Sequence, residues 1–568
     1  MNVDCRAVLF PILALLAAPA LPAGADPCAE LKPHLEAAGG KDADFQTYLK
    51  SVAGAARKAG AAELASRVES LAEKDKPVPA ASAGVASCLL QSYVVSRYGD
   101  RMVRDLQEMV AFRTFAVEGQ ANWNLPEFLR QRQWLERKAR ELGLAFKSYD
   151  GRVEEITLPG PKPIFALLTH GDVQDVQGQQ WSSPPWEAKI VDGRMIGRGT
   201  EDDKGPIVAA LYVMAALRDS GWPLGSTVRL LVANAEESSW EEIPYYLERA
   251  PMPDVTVGLD AAYPVTHAQK GYGILTFRAQ PVAEPRPGKW RVARMSGGSG
   301  MSIIPERGEA LLEPLGDKAA ALDELTRRAA EWAKAHPPAK LGVSREGDLL
   351  KVTAEGRGGH SSEPASGHNA LGDLAAFLAT LEPRMDPWGA LASFLGFAVG
   401  TETDGRSLGI QHADPAMGAL TSSLSFLLEE SGAPVARINI RVPRGITKEQ
   451  IEKSLGERAA AFVKQTGATI ATETALLSEP HYVPTRETLV STLLSVWEEV
   501  TGTPGKPVAI GGGTQARLFP GGVDFGPASS MQNYRGHGTD EYLTVEELHR
   551  IAELTIAAVW RLAGRSRL

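Results

Sequence analysis

Ile164-Phe165-Ala166-Leu167-Leu168-Thr169-His170-Gly171-Asp172 is an apolar run that ends on a histidine and an aspartate. Five apolar residues in a row, too few for a helix, read as a strand buried on both faces. His170 falls just past its C-terminal end. The pattern recurs: Thr227 to Ala233 is a second buried strand, followed at once by Glu236-Glu237, and Val255 to Leu259 is a third, with Asp260 at its end. Ile207 to Leu217, between the first two, has the continuous apolar character of a buried helix. Strands alternating with helices predict an α/β fold with a mostly parallel sheet. In such sheets functional side chains gather beyond the C-terminal strand ends, and here three strand ends each deliver a candidate metal ligand.

Outward from this centre, Met102 to Phe115 and Leu125 to Leu142 carry apolar residues at helical spacing. From about Ile274 to Pro480 no further candidate ligand occurs. That stretch mixes alternating strands (Leu349 to Ala354, Ala436 to Val442) with helices (Ala319 to Ala335, Asn369 to Leu381), which predicts an inserted α+β domain. The first domain resumes near Tyr482 with a helix from Thr488 to Thr501, the Gly511-Gly512-Gly513 turn and a last helix from Val545 to Leu562. The expected plan is a leader at residues 1–25, an accessory helical segment at 26–100, a catalytic domain in two parts at 101–274 and 481–568, and the insert at 275–480.

Composition narrows the function classes. With 568 residues and 44% hydrophobic content the chain has enough material for more than one core. A formal charge of −9 argues against a nucleic-acid partner or stable association with an anionic membrane surface. Arg6 precedes an apolar stretch from Ala7 to about Ala20, and Ala23-Gly24-Ala25 offers a small-residue cleavage site. Export to a periplasmic or secreted location is therefore expected, the alternative being an uncleaved membrane anchor. Cleavage removes Cys5 and leaves Cys28 and Cys88, either as a disulfide or as two separate thiols. A thiolate nucleophile or a Cys-based zinc site is not expected.

His170, Asp202, Glu236, Glu237, Asp260 and His537 together supply the oxygen and imidazole donors of a two-metal hydrolytic centre, with one carboxylate to spare for proton transfer. Two ions about 3.5–4 Å apart need a bridging ligand and capping ligands on each side. Gly197-Arg198-Gly199-Thr200-Glu201-Asp202-Asp203-Lys204-Gly205 packs glycines and carboxylates into one turn before a helix. Asp202 is the candidate bridge there, and an acidic helix N-cap is the blander reading. Glu236-Glu237 reads either as a solvated acidic cap or as two side chains with separate tasks. Asp172, two residues after His170, is placed to orient that imidazole without ligating.

The motifs HGD, GRGTEDDKG, AEES, GLDAAYP and HGTDE resemble, in order and spacing, those of the M20 family of zinc exopeptidases, and the insert with GGGTQAR is most similar to the PepV-like dipeptidases. The resemblance covers roughly Asp100 to the C-terminus. It implies two zinc ions, with cobalt or manganese as alternatives, and an inserted lid. Asp202 would bridge both ions, His170 and Asp260 would cap one, Glu237 and His537 the other, and Glu236 would be the general base. His360 in GRGGHSSEP would bind at the scissile carbonyl, and Arg517 would take the substrate's C-terminal carboxylate through its bidentate fork. Ser302 stands where the family's lid usually has an asparagine, which puts substrate positioning in question.

The expected function is hydrolysis of the peptide bond of dipeptides or short peptides, with Glu236 as base on a metal-bridging water. One alternative with the same metal centre is an N-acyl-amino-acid deacylase or carboxypeptidase. Another, of a different class, is a non-catalytic periplasmic protein that binds metal or peptide. The size of the insert, by analogy with the family, favours a monomer.

Overall fold

All seven residues of the strand Ile164–His170 are buried. It pairs in parallel with Thr227–Ala233 on one side and Val255–Gly258 on the other, as the apolar runs predict. Val523–Asp524 extends the parallel set beyond Val255–Gly258. The antiparallel hairpin Ala145–Tyr149 and Val153–Leu158 closes the opposite edge against Thr227–Ala233. The computed structural model describes residues 28–38, 43–564 and 566–567, and the expected leader lies outside them.

The chain forms two compact units. One holds the described residues up to His267 with Val483–Val508 and the chain from Thr514; the other holds Ala268–Tyr482 with Ala509–Gly513. The second unit is built on an eight-stranded sheet in which neighbours run antiparallel, with Trp290–Gly297, Thr421–Glu430, Ala433–Val442 and Gly271–Ala279 among its strands. Its helices include Ala321–Ala335, Ala370–Ala379, Pro387–Ala398 and Lys448–Thr466.

The expected boundary at residue 100 is corrected. One helix runs unbroken from Ala83 to Val110 and is buried along its length, from Val85 to Val110. Residues before position 100 pack into the core of the first unit. Phe45 meets Trp222 edge-on at 5.0 Å between ring centres, the Trp222 indole N–H donates to the Leu71 carbonyl at 2.9 Å, and the Tyr93 hydroxyl donates to Asp219 at 3.0 Å. The segment is thus a layer of the first unit. Cys28 and Cys88 form a disulfide with Cα atoms 5.4 Å apart, spanning 60 residues of that layer. No helix among the described residues is long and apolar enough to cross a membrane.

Glu154, on the strand Val153–Leu158, is fully buried. Burial pushes its carboxyl up to about 7, with only partial opposition from Ser148 and Arg132. Because the folded-state value lies above the unfolded one of 4.5, the folded chain holds the extra proton. Its stabilising effect is complete below about 4.5 and is lost as pH rises through about 7. Glu154→Gln, which keeps the neutral shape, is expected to raise the melting temperature at pH 8.5 and to make little difference at pH 5. The gain at high pH is roughly 1–3 kcal/mol. Equal melting temperatures at pH 8.5 would show that Glu154 is neutralised some other way.

Candidate metal centre

The ligand candidates gather on the first unit. His170 is the last residue of its strand, and its Nδ1 faces the Asp172 backbone carbonyl at 2.9 Å. That leaves Nε2 to point at Asp202 Oδ1, 2.8 Å away, and Asp260 Oδ1, 3.5 Å away. The other Asp202 oxygen lies 3.0 Å from His537 Nε2, which is also 2.7 Å from Glu237 Oε1. One carboxylate therefore faces a histidine with each of its oxygens. Two sets of three donors result, His170 with Glu236 and Asp260, and Asp202 with Glu237 and His537, the atoms of each lying within 4.8 Å of one another.

Asp172 does more than orient His170. Its carboxylate lies 3.5 Å from the ring and accepts the backbone N–H groups of Glu236 at 3.1 Å and Glu237 at 2.9 Å. The histidine is fixed chiefly by the Asp172 carbonyl, while the side chain clamps the glutamate turn. Glu236-Glu237 is accordingly no solvated cap. Asp203 stands at the N-cap of the helix Lys204–Ser220 but makes no side-chain capping bond; its Oδ2 accepts instead from the His170 backbone N–H at 3.1 Å. The turn before that helix needs Gly199 at φ +86°, where a Cβ would also strike Val173 and Lys204.

The electrostatics fit divalent cations. Asp172, Asp202, Glu236, Glu237 and Asp260 crowd together against two imidazoles. Burial, then the charge of Asp260, raises the Glu236 carboxyl well above its usual range, and burial lifts Asp260 to about 6. Asp202 goes the other way: burial alone would raise it, but hydrogen bonds from His170 and His537 hold it well below the usual range. Carboxylates that repel one another and share imidazoles present the borderline-hard O and N donor set that zinc, manganese or cobalt accepts.

A family model for peptidase family M20/M25/M40 matches residues 166–561, which contain His170, Asp202, Glu236, Glu237, Asp260 and His537. The chain belongs to this family. The M20 family is metal-dependent, and this chain is a metallopeptidase of it. Its sequence is 30% identical over 428 residues to the Beta-Ala-Xaa dipeptidase of Lactobacillus delbrueckii subsp. lactis, covering 74% of this chain and 86% of that protein. The fold is similar to that of human carnosine dipeptidase 1, with a TM-score of 0.51 at 15% identity over 83% of this chain and 98% of that one.

The remaining expected residues divide between the units. Arg517 is in the first, half-buried on the short turn Gln515–Leu518. Gln515 and Ala516 of that turn line a small cavity with His170, Glu236 and Asp260, and Arg517 is not among its lining residues. Ser302 and His360 lie in the second unit and are brought together there. The Ser361 N–H donates to the Ser302 carbonyl at 2.8 Å, and Ile303 bridges His360 through the backbone. The exposed His360 keeps Nδ1 at 2.6 Å from the Ser362 hydroxyl.

Several residues that touch the predicted ones escaped the sequence reading. Arg441 donates to the Ser302 hydroxyl at 3.1 Å and to Asn439 at 3.2 Å. Gln174 donates to Glu237 Oε2 at 2.9 Å, and the Tyr534 hydroxyl donates to Asp202 Oδ2. Arg198 and Glu541 pair at 2.7 Å with almost no exposure. The only available signal was their place inside or beside the quoted motifs, since Arg198 sits in GRGTEDDKG and Glu541 ends HGTDE.

Proposed function

We propose that this metallopeptidase is a dipeptidase that hydrolyses the peptide bond of dipeptides and short peptides, using two zinc ions. The observation that carries this reading is the Asp202 carboxylate, one oxygen facing His170 and the other facing His537. His170, Asp202 and Asp260 would hold one ion, and Asp202, Glu237 and His537 the other. When bound, such ions polarise the scissile carbonyl and make water acidic enough to attack at neutral pH.

The chain's own residues do the rest. Glu236, its backbone N–H fixed by Asp172 and its carboxyl raised well above the usual range by burial, takes the proton from the attacking water. It then delivers that proton to the departing amine, which becomes the new N-terminus of the released residue. In the second unit we assign substrate binding to Ser302, His360 and Arg441. His360, whose Nδ1 faces the Ser362 hydroxyl, is assigned to bind the substrate's carbonyl group. The carboxylate end of the substrate calls for a guanidinium. Arg441, buried beside Ser302, suits that task in the second unit, and Arg517 is the candidate for it in the first.

Dipeptidase activity agrees with the name of the Lactobacillus relative and is favoured over an N-acyl-amino-acid deacylase or carboxypeptidase. A protein that only binds metal or peptide would have no use for Glu236. Export is supported by the N-terminal apolar stretch and by the Cys28–Cys88 disulfide, which oxidising compartments permit. The large second unit supports a monomer.

A dipeptide library tests the reading on zinc-loaded mature protein. Dipeptides with a free amine and a free carboxylate are expected to be cleaved, their C-terminal amides and N-acetyl forms to be poor substrates, and a chelator to abolish turnover. Faster cleavage of N-acyl amino acids than of dipeptides would move the assignment to a deacylase.

A further inference from the structure

Glu541 is buried completely and accepts four hydrogen bonds. Its Oε2 takes the Gly199 N–H at 3.0 Å and the Arg198 guanidinium at 2.7 Å. Its Oε1 takes the backbone N–H groups of Glu201 at 3.0 Å and Asp202 at 3.2 Å. The turn that carries Asp202 is therefore wrapped around one carboxylate supplied from more than three hundred residues away. Arg198 extends the hold, since its second terminal nitrogen donates to the His537 carbonyl at 3.1 Å and to Gln179 Oε1 at 2.9 Å. Gln179 donates to that same carbonyl at 2.9 Å. His537 sits at φ +64°, a conformation uncommon outside glycine that its surroundings must impose.

The donors on the other side are held differently. His170 is fixed by the Asp172 carbonyl and Glu236 by the Asp172 carboxylate, with no part played by Glu541. The geometry points to Glu541 as a positioning residue for one half of the metal centre: it aims Asp202 directly and His537 through Arg198. The inference rests on the two-metal reading above. Loosening Glu541 disturbs two of the three donors in the set Asp202, Glu237 and His537, but only the shared Asp202 on the other ion, whose His170 and Asp260 keep the support of their own strand ends. The two ions should then differ in their dependence on this residue. Outer hydrogen-bond partners of metal ligands are commonly worth about 10–100-fold in affinity.

The test titrates zinc into metal-free full-length mature protein, in competition with a chromophoric chelator, and compares wild type with Glu541→Gln. Circular dichroism and thermal unfolding are followed in parallel. The expected result is a folded variant in which one ion binds about 10–100-fold more weakly and the other, which loses only the firm hold of the shared Asp202, is weakened clearly less. Two ions bound with wild-type affinity, or an equal loss for both, overturns the proposal. If Glu541→Gln does not fold, Arg198→Lys decides. It keeps the charge opposite Glu541 and the three backbone bonds to that carboxylate, but withdraws the fork that reaches His537. Selective weakening of one ion supports the assignment, and unchanged binding of both overturns it. Failure of wild type itself to bind two ions, or to cleave dipeptides, would sink the two-metal reading, whereas an unchanged variant beside a competent wild type sinks only the role of Glu541.

Discussion

Glu236→Gln is expected to leave the metal content unchanged while turnover of a good dipeptide falls by about 10²–10⁴-fold. The amide matches the carboxyl in shape and leaves the Asp172 clamp on the backbone intact, so the turn and the neighbouring Glu237 stay in place. What it removes is the capacity to take up and return a proton. The environment is tuned for that task. Burial, with Asp260, Glu237 and Asp172 nearby, raises the carboxyl well above its usual range, against the partial opposition of His170. A carboxyl raised in this direction binds a proton more readily than a free one, as a general base must. Because Glu236 also lies within one donor set with His170 and Asp260, metal analysis must accompany the kinetics. Loss of an ion together with activity would make Glu236 a ligand, and retention of both would remove it from the mechanism.

Asp202→Asn should act on the metals first. Its carboxylate faces both His170 and His537, and its ionised form is held by both rings. An amide nitrogen in place of one oxygen cannot face a cation, so one side of the centre loses a ligand and the other keeps a neutral, weaker one. Removing one partner from a buried set of charges costs roughly 3–5 kcal/mol, or about 10²–10⁴-fold in affinity. Elemental analysis after dialysis against limiting zinc should find fewer than two ions per chain, with dipeptide cleavage lost. Two ions retained at wild-type affinity would show that Asp202 does not bridge.

The contrast between these residues and those first recognised in the structure is instructive. The strand ends at His170, Glu236-Glu237 and Asp260 were legible because a buried parallel strand announces itself as a short apolar run. A polar residue placed at the end of such a run has few structural reasons to be there. The helices Thr488–Thr501 and Val545–Ala563 followed from helical spacing in the same way. The N-terminal segment did not, because local periodicity shows that a helix has an apolar face but not what covers it. Only packing against Trp222 and Asp219 joined that segment to the first unit. Arg441 was hidden for a related reason: an arginine at the end of an alternating strand looks like an edge charge until Ser302 is found opposite it.

The order of apolar runs and the acids and histidines that follow them were enough to specify an α/β fold with an α+β insert and the residues that gather in two donor sets. These features depend on local pattern, and local pattern is written along the chain. The division of work among the acids was not. Whether Asp203 capped a helix or held the His170 backbone, and whether Asp172 served the histidine or the glutamate turn, depended on distances between segments distant in sequence. So did the meeting of Arg198 with Glu541 across 343 residues. Such pairings carry no period and no propensity; they exist only once the sheet has brought its strand ends together and burial has made every unmatched charge costly.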